Sequence, residues 1–100
     1  QLALEQLRPW IQQYPLVGDV RGLGLCLGIE LTEPDTDGIR AKDAAEFVMY
    51  ECLERGLSFK VSMGNVLTLS PPLVITEDEL MRALDIIEQA IVRANRKHFE

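Results

Sequence analysis

Two adjacent prolines, at positions 71 and 72, divide the segment NVLTLSPPLVITEDEL into two parts that cannot share one element. Proline has no backbone N–H, so a β-ladder has to end in front of the pair. The residues before it alternate as in a strand, with Leu67 and Leu69 on one face and Thr68 and Ser70 on the other. The segment therefore predicts a strand over residues 66–70 that ends at the prolines.

A capped helix is predicted after the prolines. Thr76 and Glu79 have the T-x-x-E spacing of a capping box, in which each side chain bonds to the backbone N–H of the other residue. The apolar residues that follow recur every three or four positions, as they do on the core face of a helix. We expect this helix to span about residues 77–96. Its predicted core face consists of Leu80, Ala83, Leu84, Ile87, Ala90, Ile91 and Ala94.

The first half of the chain predicts two further helices and a glycine-rich strand. Residues 1–13 suit a helix that is interrupted at Pro9, which lacks the backbone donor of a helix interior. Residues 41–55 suit a second helix that ends at Gly56. Between them, residues 20–31 are predicted as a strand, because three glycines would each cost a helix about 1 kcal/mol.

A hairpin completes the expected fold. Residues 57–62 alternate as a strand, and a three-residue turn at 63–65 returns the chain into the strand before the prolines. The element order is then α-β-α-β-β-α. We expect an α+β fold in which a small antiparallel sheet of about three strands packs against helices.

Length and charge exclude several classes of protein. With 100 residues the chain suits a single domain, and its net charge of -6 argues against a nucleic-acid partner. No apolar run approaches the ~18–20 residues of a membrane helix, so no membrane partner is expected. The chain begins at Gln1 rather than at a methionine, which suggests a fragment of a longer protein.

The two cysteines point to a reducing compartment. Cys26 and Cys52 lie far apart, without a CxxC pair or a neighbouring histidine that would suggest a metal site. Both lie in apolar surroundings, so we expect two buried free thiols and no disulfide. This pattern is typical of a cytoplasmic protein.

The glycines of GLGLCLG do not predict a nucleotide site. A dinucleotide-binding loop needs its glycines between a strand and a helix, whereas here they lie inside the predicted strand. On the same segment, Arg21 is expected to pair with Asp19 as a structural brace, and anion binding by Arg21 is the alternative. Glu30 is a potential acid for which spacing alone supplies no partner.

The remaining reactive side chains form no catalytic constellation. His98 lies two residues from the end of the sequence, and nothing near Lys42 or Lys60 indicates an activated amine. From the residues alone, a stand-alone regulatory or interaction module of ferredoxin-like build remains an alternative to an enzyme domain.

Three motifs in one order resemble the C-terminal small domain of class III aminotransferases, the pyridoxal-phosphate (PLP) enzymes of fold type I. They are PLVGDVRGLGLCLGIEL, the RGL after the middle helix, and NVLTLSPPLVITEDEL before an apolar helix. The resemblance covers about residues 1–96. In this family the PLP-binding lysine, the aspartate that pairs with the pyridine nitrogen and the phosphate-binding loop lie in a preceding large domain. None of those motifs is present, so the resemblance implies no catalytic, cofactor-binding or metal-binding residue in this chain.

The resemblance implies an enzyme as the full-length parent. Such a parent uses PLP to transfer an amino group between an amine or amino acid and a carbonyl acceptor. Its expected partners are the small-molecule substrate, the large PLP-binding domain and a second copy of the chain, because the family forms its active sites across a homodimer. The fragment alone is expected to be inactive. A PLP-dependent lyase or decarboxylase of the same family is the alternative.

Thr68 is the one implied substrate-binding residue. In many members of the family an arginine stands two residues before Ser/Ala-Pro-Pro and holds the substrate carboxylate through two hydrogen bonds. Thr68 occupies that position here and cannot make the charged contact. Either another residue holds the carboxylate, or the substrate is an amine, an amino-phosphonate or a phosphate compound. Equally, Thr68 could be a strand residue that does not touch the substrate.

Removal of a large domain should also leave an exposed apolar patch on the fragment. Trp10, Ile11 and Leu16 are the candidates for this patch.

Overall fold

The computed structural model describes residues 2–23, 26–70 and 76–99. The prolines at positions 71 and 72 therefore lie outside the described residues. The elements, in chain order, are α1 (Leu2–Leu7), α2 (Trp10–Gln13), β1 (Val17–Leu23), β2 (Cys26–Leu31), α3 (Lys42–Glu54), β3 (Lys60–Ser62), β4 (Val66–Leu69) and α4 (Glu77–Phe99).

The strands form one antiparallel sheet with the order β1-β2-β4-β3. The predicted α+β class and antiparallel sheet are confirmed, but the sheet has four strands, one more than expected. The glycine-rich segment is a hairpin rather than one strand: β1 begins at Val17 and pairs with β2 down to Leu23 and Cys26. The intervening Gly24 and Leu25 lie outside the described residues.

The first predicted helix divides at Pro9 into α1 and α2, as its missing donor requires. Trp10 and Leu16, which follow this break, are 5% and 0% exposed and belong to the hydrophobic core. The expected apolar patch at these two residues is therefore wrong, and of the three candidates only Ile11 is exposed, at 38%. The reason is that both side chains belong to the core cluster, which also includes Leu7 of α1, Val17 of β1 and Leu84 of α4.

The helix ends follow the predicted chemistry. Gly56 has φ 84° and lets α3 end in a Schellman motif. The N–H of Gly56 donates to the carbonyl of Leu53, and the N–H of Leu57 donates to the carbonyl of Cys52. At the start of α4, the N–H of Glu79 donates to Thr76 Oγ1, and the N–H of Thr76 donates to the Glu79 carboxylate, both at 3.1 Å. The predicted capping box is confirmed.

The turn between β3 and β4 fixes the position of β4. Met63 and Gly64 adopt positive φ values of 56° and 82°, which gives the predicted three-residue hairpin turn. The next residue, Asn65, is 1% exposed, and its side-chain amide donates to the carbonyl of Leu31 at 2.9 Å. This buried bond ties the start of β4 to the end of β2.

The core lies on one side of the sheet. It combines the apolar strand residues with the inner faces of α3 and α4, including Leu27, Ile29, Leu67, Val48, Ile87 and Ile91, all of which are fully buried. Because strand side chains alternate, the residues between these apolar ones point to the other side of the sheet. That second side carries the polar side chains.

Candidate functional site

The second side of the sheet, here called the polar face, is formed by Asp19, Arg21, Cys26, Glu30, Lys60, Ser62 and Thr68. Val66 also points to this side and is buried. Directly opposed residues on antiparallel strands share a face. The strand register therefore shows which of these side chains are neighbours.

One row of this register runs across all four strands. Arg21 pairs with Gly28, Gly28 pairs with Thr68, and Thr68 pairs with Lys60. Gly28 has no side chain, so no side chain separates Arg21 from Thr68 along the row. Along this row Thr68 thus lies between two basic residues, Arg21 and Lys60. Neither of them is a sequence neighbour of Thr68.

Arg21 is held by two carboxylates. Its Nη1 lies 3.1 Å from Asp19 Oδ2 and 3.1 Å from Glu30 Oε1. The hydrogen bond to Glu30, followed by the one to Asp19, raises the pKa of the Arg21 guanidinium above its ordinary value. The expected pairing with Asp19 is confirmed, and the register supplies Glu30 with the partner that spacing could not identify. This cluster is a structural brace across β1 and β2.

Thr68 is half-buried and bonded to one neighbour. Its Oγ1 lies 3.1 Å from Ser62 Oγ, and either hydroxyl can be the donor. If Ser62 donates, the hydroxyl proton of Thr68 is left to point away from the sheet, toward whatever covers the polar face. The predicted substrate-binding residue is therefore one of a pair of hydroxyls rather than an isolated one.

The cysteines differ in environment. Cys52 is fully buried in α3, and burial raises the pKa of its thiol to about 11. Cys26 is only half-buried, and its Sγ lies 3.0 Å from Ser70 Oγ near the polar face. Both are free thiols, as expected, but the prediction that Cys26 is buried is wrong because its side of β2 faces away from the core.

The lysines offer no enclosed site for PLP. A lysine that carries this cofactor sits inside a pocket beside a phosphate cradle, but all three lysines of the chain are exposed. Lys42 packs near Gly64, and Lys97 lies 5.4 Å from the centre of the Phe47 ring. The residues described here do not fit the cofactor, so no chemical step is assigned to them through it.

His98 is a packing residue at the end of α4. Its ring meets Phe47 edge-on, with 5.8 Å between ring centres, and no described residue bonds to its buried Nε2. Across residues 2–23, 26–70 and 76–99, no three His, Cys, Asp or Glu side chains form a group that could hold a metal ion. No helix in the same part of the chain is long and apolar enough to cross a membrane.

Known proteins match both the sequence and the fold. A relative from Vibrio splendidus, (R)-1-hydroxy-2-aminoethylphosphonate ammonia-lyase, is 52% identical over 89 residues, which are 89% of this chain and 19% of the relative. Ornithine aminotransferase from Emericella nidulans is 40% identical over 79 residues, covering 79% of this chain and 16% of the relative. A solved phospholyase from Arthrobacter in complex with phosphoethanolamine is 29% identical, with a TM-score of 0.82 over 91% of this chain and 22% of that chain.

The chain thus spans about a fifth of the length of the relatives that it matches. The family model for class III aminotransferases matches residues 1–91, which is nearly the whole sequence. The neighbours with solved structures share the same mixed sheet and helices. On these grounds the chain belongs to the class III aminotransferase family.

Proposed function

We propose that this chain is one domain, the C-terminal small domain of a larger PLP-dependent enzyme. The small share of each relative that it covers supports this proposal. When bound, PLP acts as an electron sink for bonds broken next to the amino carbon. Under this proposal the large domain holds the cofactor, and the fragment alone is inactive. The parent is a cytoplasmic homodimer.

The parent's substrate follows from the residue at position 68. Arginine at this place would offer a planar fork that suits a carboxylate, whereas Thr68 offers one hydroxyl that bonds to Ser62. Single hydroxyl donors suit the separate oxygens of a tetrahedral phosphonate or phosphate. We therefore propose that the substrate is an amino compound that carries such a group.

The reaction best supported is the elimination of ammonia. The relative with 52% identity is an ammonia-lyase for an amino-phosphonate, and a structural neighbour is a phospholyase that holds phosphoethanolamine. Both names agree with the loss of the carboxylate-binding arginine. The replacement at Thr68 is the single observation that carries this proposal within the chain itself.

Transamination, the activity implied first by the family resemblance, is the second candidate. It is supported by the 40% identity to ornithine aminotransferase. In transamination the amino group passes to a carbonyl acceptor, so the amount of product cannot exceed the amount of acceptor. In elimination the carbon–nitrogen bond breaks and ammonia is released without an acceptor. The two candidates therefore differ in a measurable requirement.

Product analysis of the full-length enzyme with PLP bound tests the proposal. We expect ammonia release from 1-hydroxy-2-aminoethylphosphonate or phosphoethanolamine, over many turnovers, without any added carbonyl acceptor. Amino-group transfer that occurs only when a 2-oxo acid is added would instead establish transamination. An α-amino acid without a phosphonate serves as the control substrate and should release no ammonia.

A further inference from the structure

The polar face places a second cation beside Thr68. Lys60 on β3 is the directly opposed partner of Thr68 on β4, so both side chains point to the same side of the sheet. Directly opposed residues have Cβ atoms about 4.5–5.5 Å apart, and a lysine side chain reaches well beyond that distance. The Lys60 ammonium can therefore reach a ligand group that is bonded to the Thr68 hydroxyl.

Lys60 differs from the other basic residue of the row. Arg21 is bonded to both Asp19 and Glu30, so its charge is balanced twice. Within the described part of the chain, no carboxylate forms an ion pair with Lys60, and its side chain is exposed. On this row the Lys60 ammonium is therefore the positive charge that is available to a ligand.

The hydroxyl pair lies next to the same cation. Ser62 follows Lys60 by two residues on β3 and therefore shares its face. The bond between Ser62 and Thr68 orients the two hydroxyls, and one of them keeps a proton to donate. One ammonium and one oriented hydroxyl together suit a tetrahedral anion, because lysine binds phosphate groups as a point charge.

We propose that Lys60 is the specificity-determining cation of the substrate site, where its ammonium pairs with the phosphonate or phosphate and Thr68 donates a hydrogen bond to the same group. This inference rests on the proposed function, since it assumes that the polar face borders the active site of the parent. Lys60 takes over the charge that the family's arginine supplies from the position of Thr68. The planar guanidinium of the family's arginine is thereby replaced by the Lys60 ammonium together with the hydroxyls of Thr68 and Ser62.

A competing explanation is structural. Lysine is common on edge strands, where its charge prevents pairing with another sheet, and β3 lies at the edge of this sheet. An edge lysine of that kind would affect aggregation but not the affinity for an anion. The two explanations are separated by binding measurements on soluble enzyme.

The experiment uses the full-length enzyme with PLP bound, so that the cofactor occupies its own phosphate site. The variants are Lys60→Gln, Lys60→Arg and, as a matched control, Lys42→Gln, which changes an exposed lysine on the helix side of the sheet. Two quantities are measured: the Kd of methylphosphonate, and kcat and KM for the amino-phosphonate. Gel filtration confirms that each variant is not aggregated.

We expect Lys60→Gln to raise the Kd of methylphosphonate and the KM of the amino-phosphonate by about 10- to 100-fold, as for the loss of a charged hydrogen bond. Its kcat should change by less than about threefold, because the group acts in binding. Lys60→Arg should recover most of the affinity, and Lys42→Gln should behave as the wild type. Equal affinities for Lys60→Gln and Lys42→Gln would overturn the inference, as would undetectable binding to the wild type.

The two proposals can fail separately. If the wild type releases ammonia but Lys60→Gln binds methylphosphonate normally, the proposed function stands and the role of Lys60 is wrong. If the wild type releases no ammonia but its methylphosphonate binding depends on Lys60, the anion site stands and the elimination reaction is wrong.

Discussion

The proposed role of Thr68 depends on neighbours in space, Ser62 and Lys60, that are not adjacent to it in the sequence. The predicted three-residue turn already implies that Ser62 opposes Val66 and that Lys60 opposes Thr68, so this pair could have been found from the sequence. The positions of Gly28 and Arg21, on the other side of Thr68 in the row, could not be predicted from a turn length. They depend on the register between β2 and β4, which brings Gly28 beside Thr68 across a separation of forty residues in the sequence.

Cys52 is a fully buried thiol whose reactivity should be low. Burial raises the pKa of its thiol to about 11, so at pH 8 only about one thiol in a thousand is ionised, and the thiolate is the reactive form. In folded full-length protein we expect iodoacetamide to label Cys52 at pH 8 at least about a hundredfold more slowly than it labels Cys52 in urea-unfolded protein. Mass spectrometry of the Cys52 peptide measures both rates.

The pH dependence of Cys52 has a definite sign. The pKa of its thiol in the folded protein lies above the ordinary value of 9.0, so the folded state keeps the proton to a higher pH than the unfolded state does. The resulting contribution to stability is fully present below pH 9 and is lost as the pH rises toward 11. Equal labelling rates of Cys52 in folded and urea-unfolded protein at pH 8 would contradict its buried environment.

At the scale of elements, local chemistry predicted helix ends better than it predicted strands. The capping box of α4 and the glycine stop of α3 are both short-range patterns, and both are confirmed. The sequence does not signal the hairpin of β1 and β2, because every residue between Arg21 and Glu30 is apolar or glycine. This segment has no Asn-Gly or Asp-Gly pair, which is the strongest local signal of a tight hairpin.

The capping box of α4 predicts a local loss of stability in a Thr76→Ala variant. The hydroxyl of Thr76 accepts from the Glu79 N–H, and its removal leaves that donor without its partner. We expect the first turns of α4 to open more easily by about 1 kcal/mol. Amide hydrogen exchange of residues 77–82 in the full-length protein measures this change.

A matched variant tests the mechanism of capping. Thr76→Ser keeps the hydroxyl and should retain nearly all of the protection from exchange at the start of α4. The bonds with Thr76 also lower the pKa of Glu79, so its contribution to stability is present above its unfolded pKa and is lost as the pH falls through the folded one. Unchanged exchange in Thr76→Ala would show that the cap does not stabilise the helix.

At the scale of the whole molecule, the sheet has two unlike sides. Its apolar side packs with α3 and α4 into one core, which explains how the sequence pattern could predict the fold class. Its polar side carries Thr68 and Lys60, and in the proposed enzyme the large domain and the substrate lie on that side. The sequence pattern can predict which side of the sheet is buried in the core. It cannot predict a site that another domain helps to form, because the residues of that domain are not in the pattern.

We propose that the residue at position 68 sets the substrate class of the parent enzyme. The most direct test is Thr68→Arg in the full-length protein, with Thr68→Val as the control that removes the hydroxyl without adding a charge. For each variant, kcat/KM is measured for ammonia release from the amino-phosphonate and for amino-group transfer from an α-amino acid of similar length to an added 2-oxo acid. Retention of bound PLP, followed by its absorbance, shows that each variant is folded.

We expect Thr68→Arg to shift the ratio of the two kcat/KM values toward the carboxylate substrate by at least about tenfold, which corresponds to about 1.4 kcal/mol. The reason is that the guanidinium gains a two-bond contact with the carboxylate. Thr68→Val should lower kcat/KM for the phosphonate without improving the carboxylate. If the ratio in Thr68→Arg equals that of the wild type, position 68 does not contact the substrate and the account is wrong.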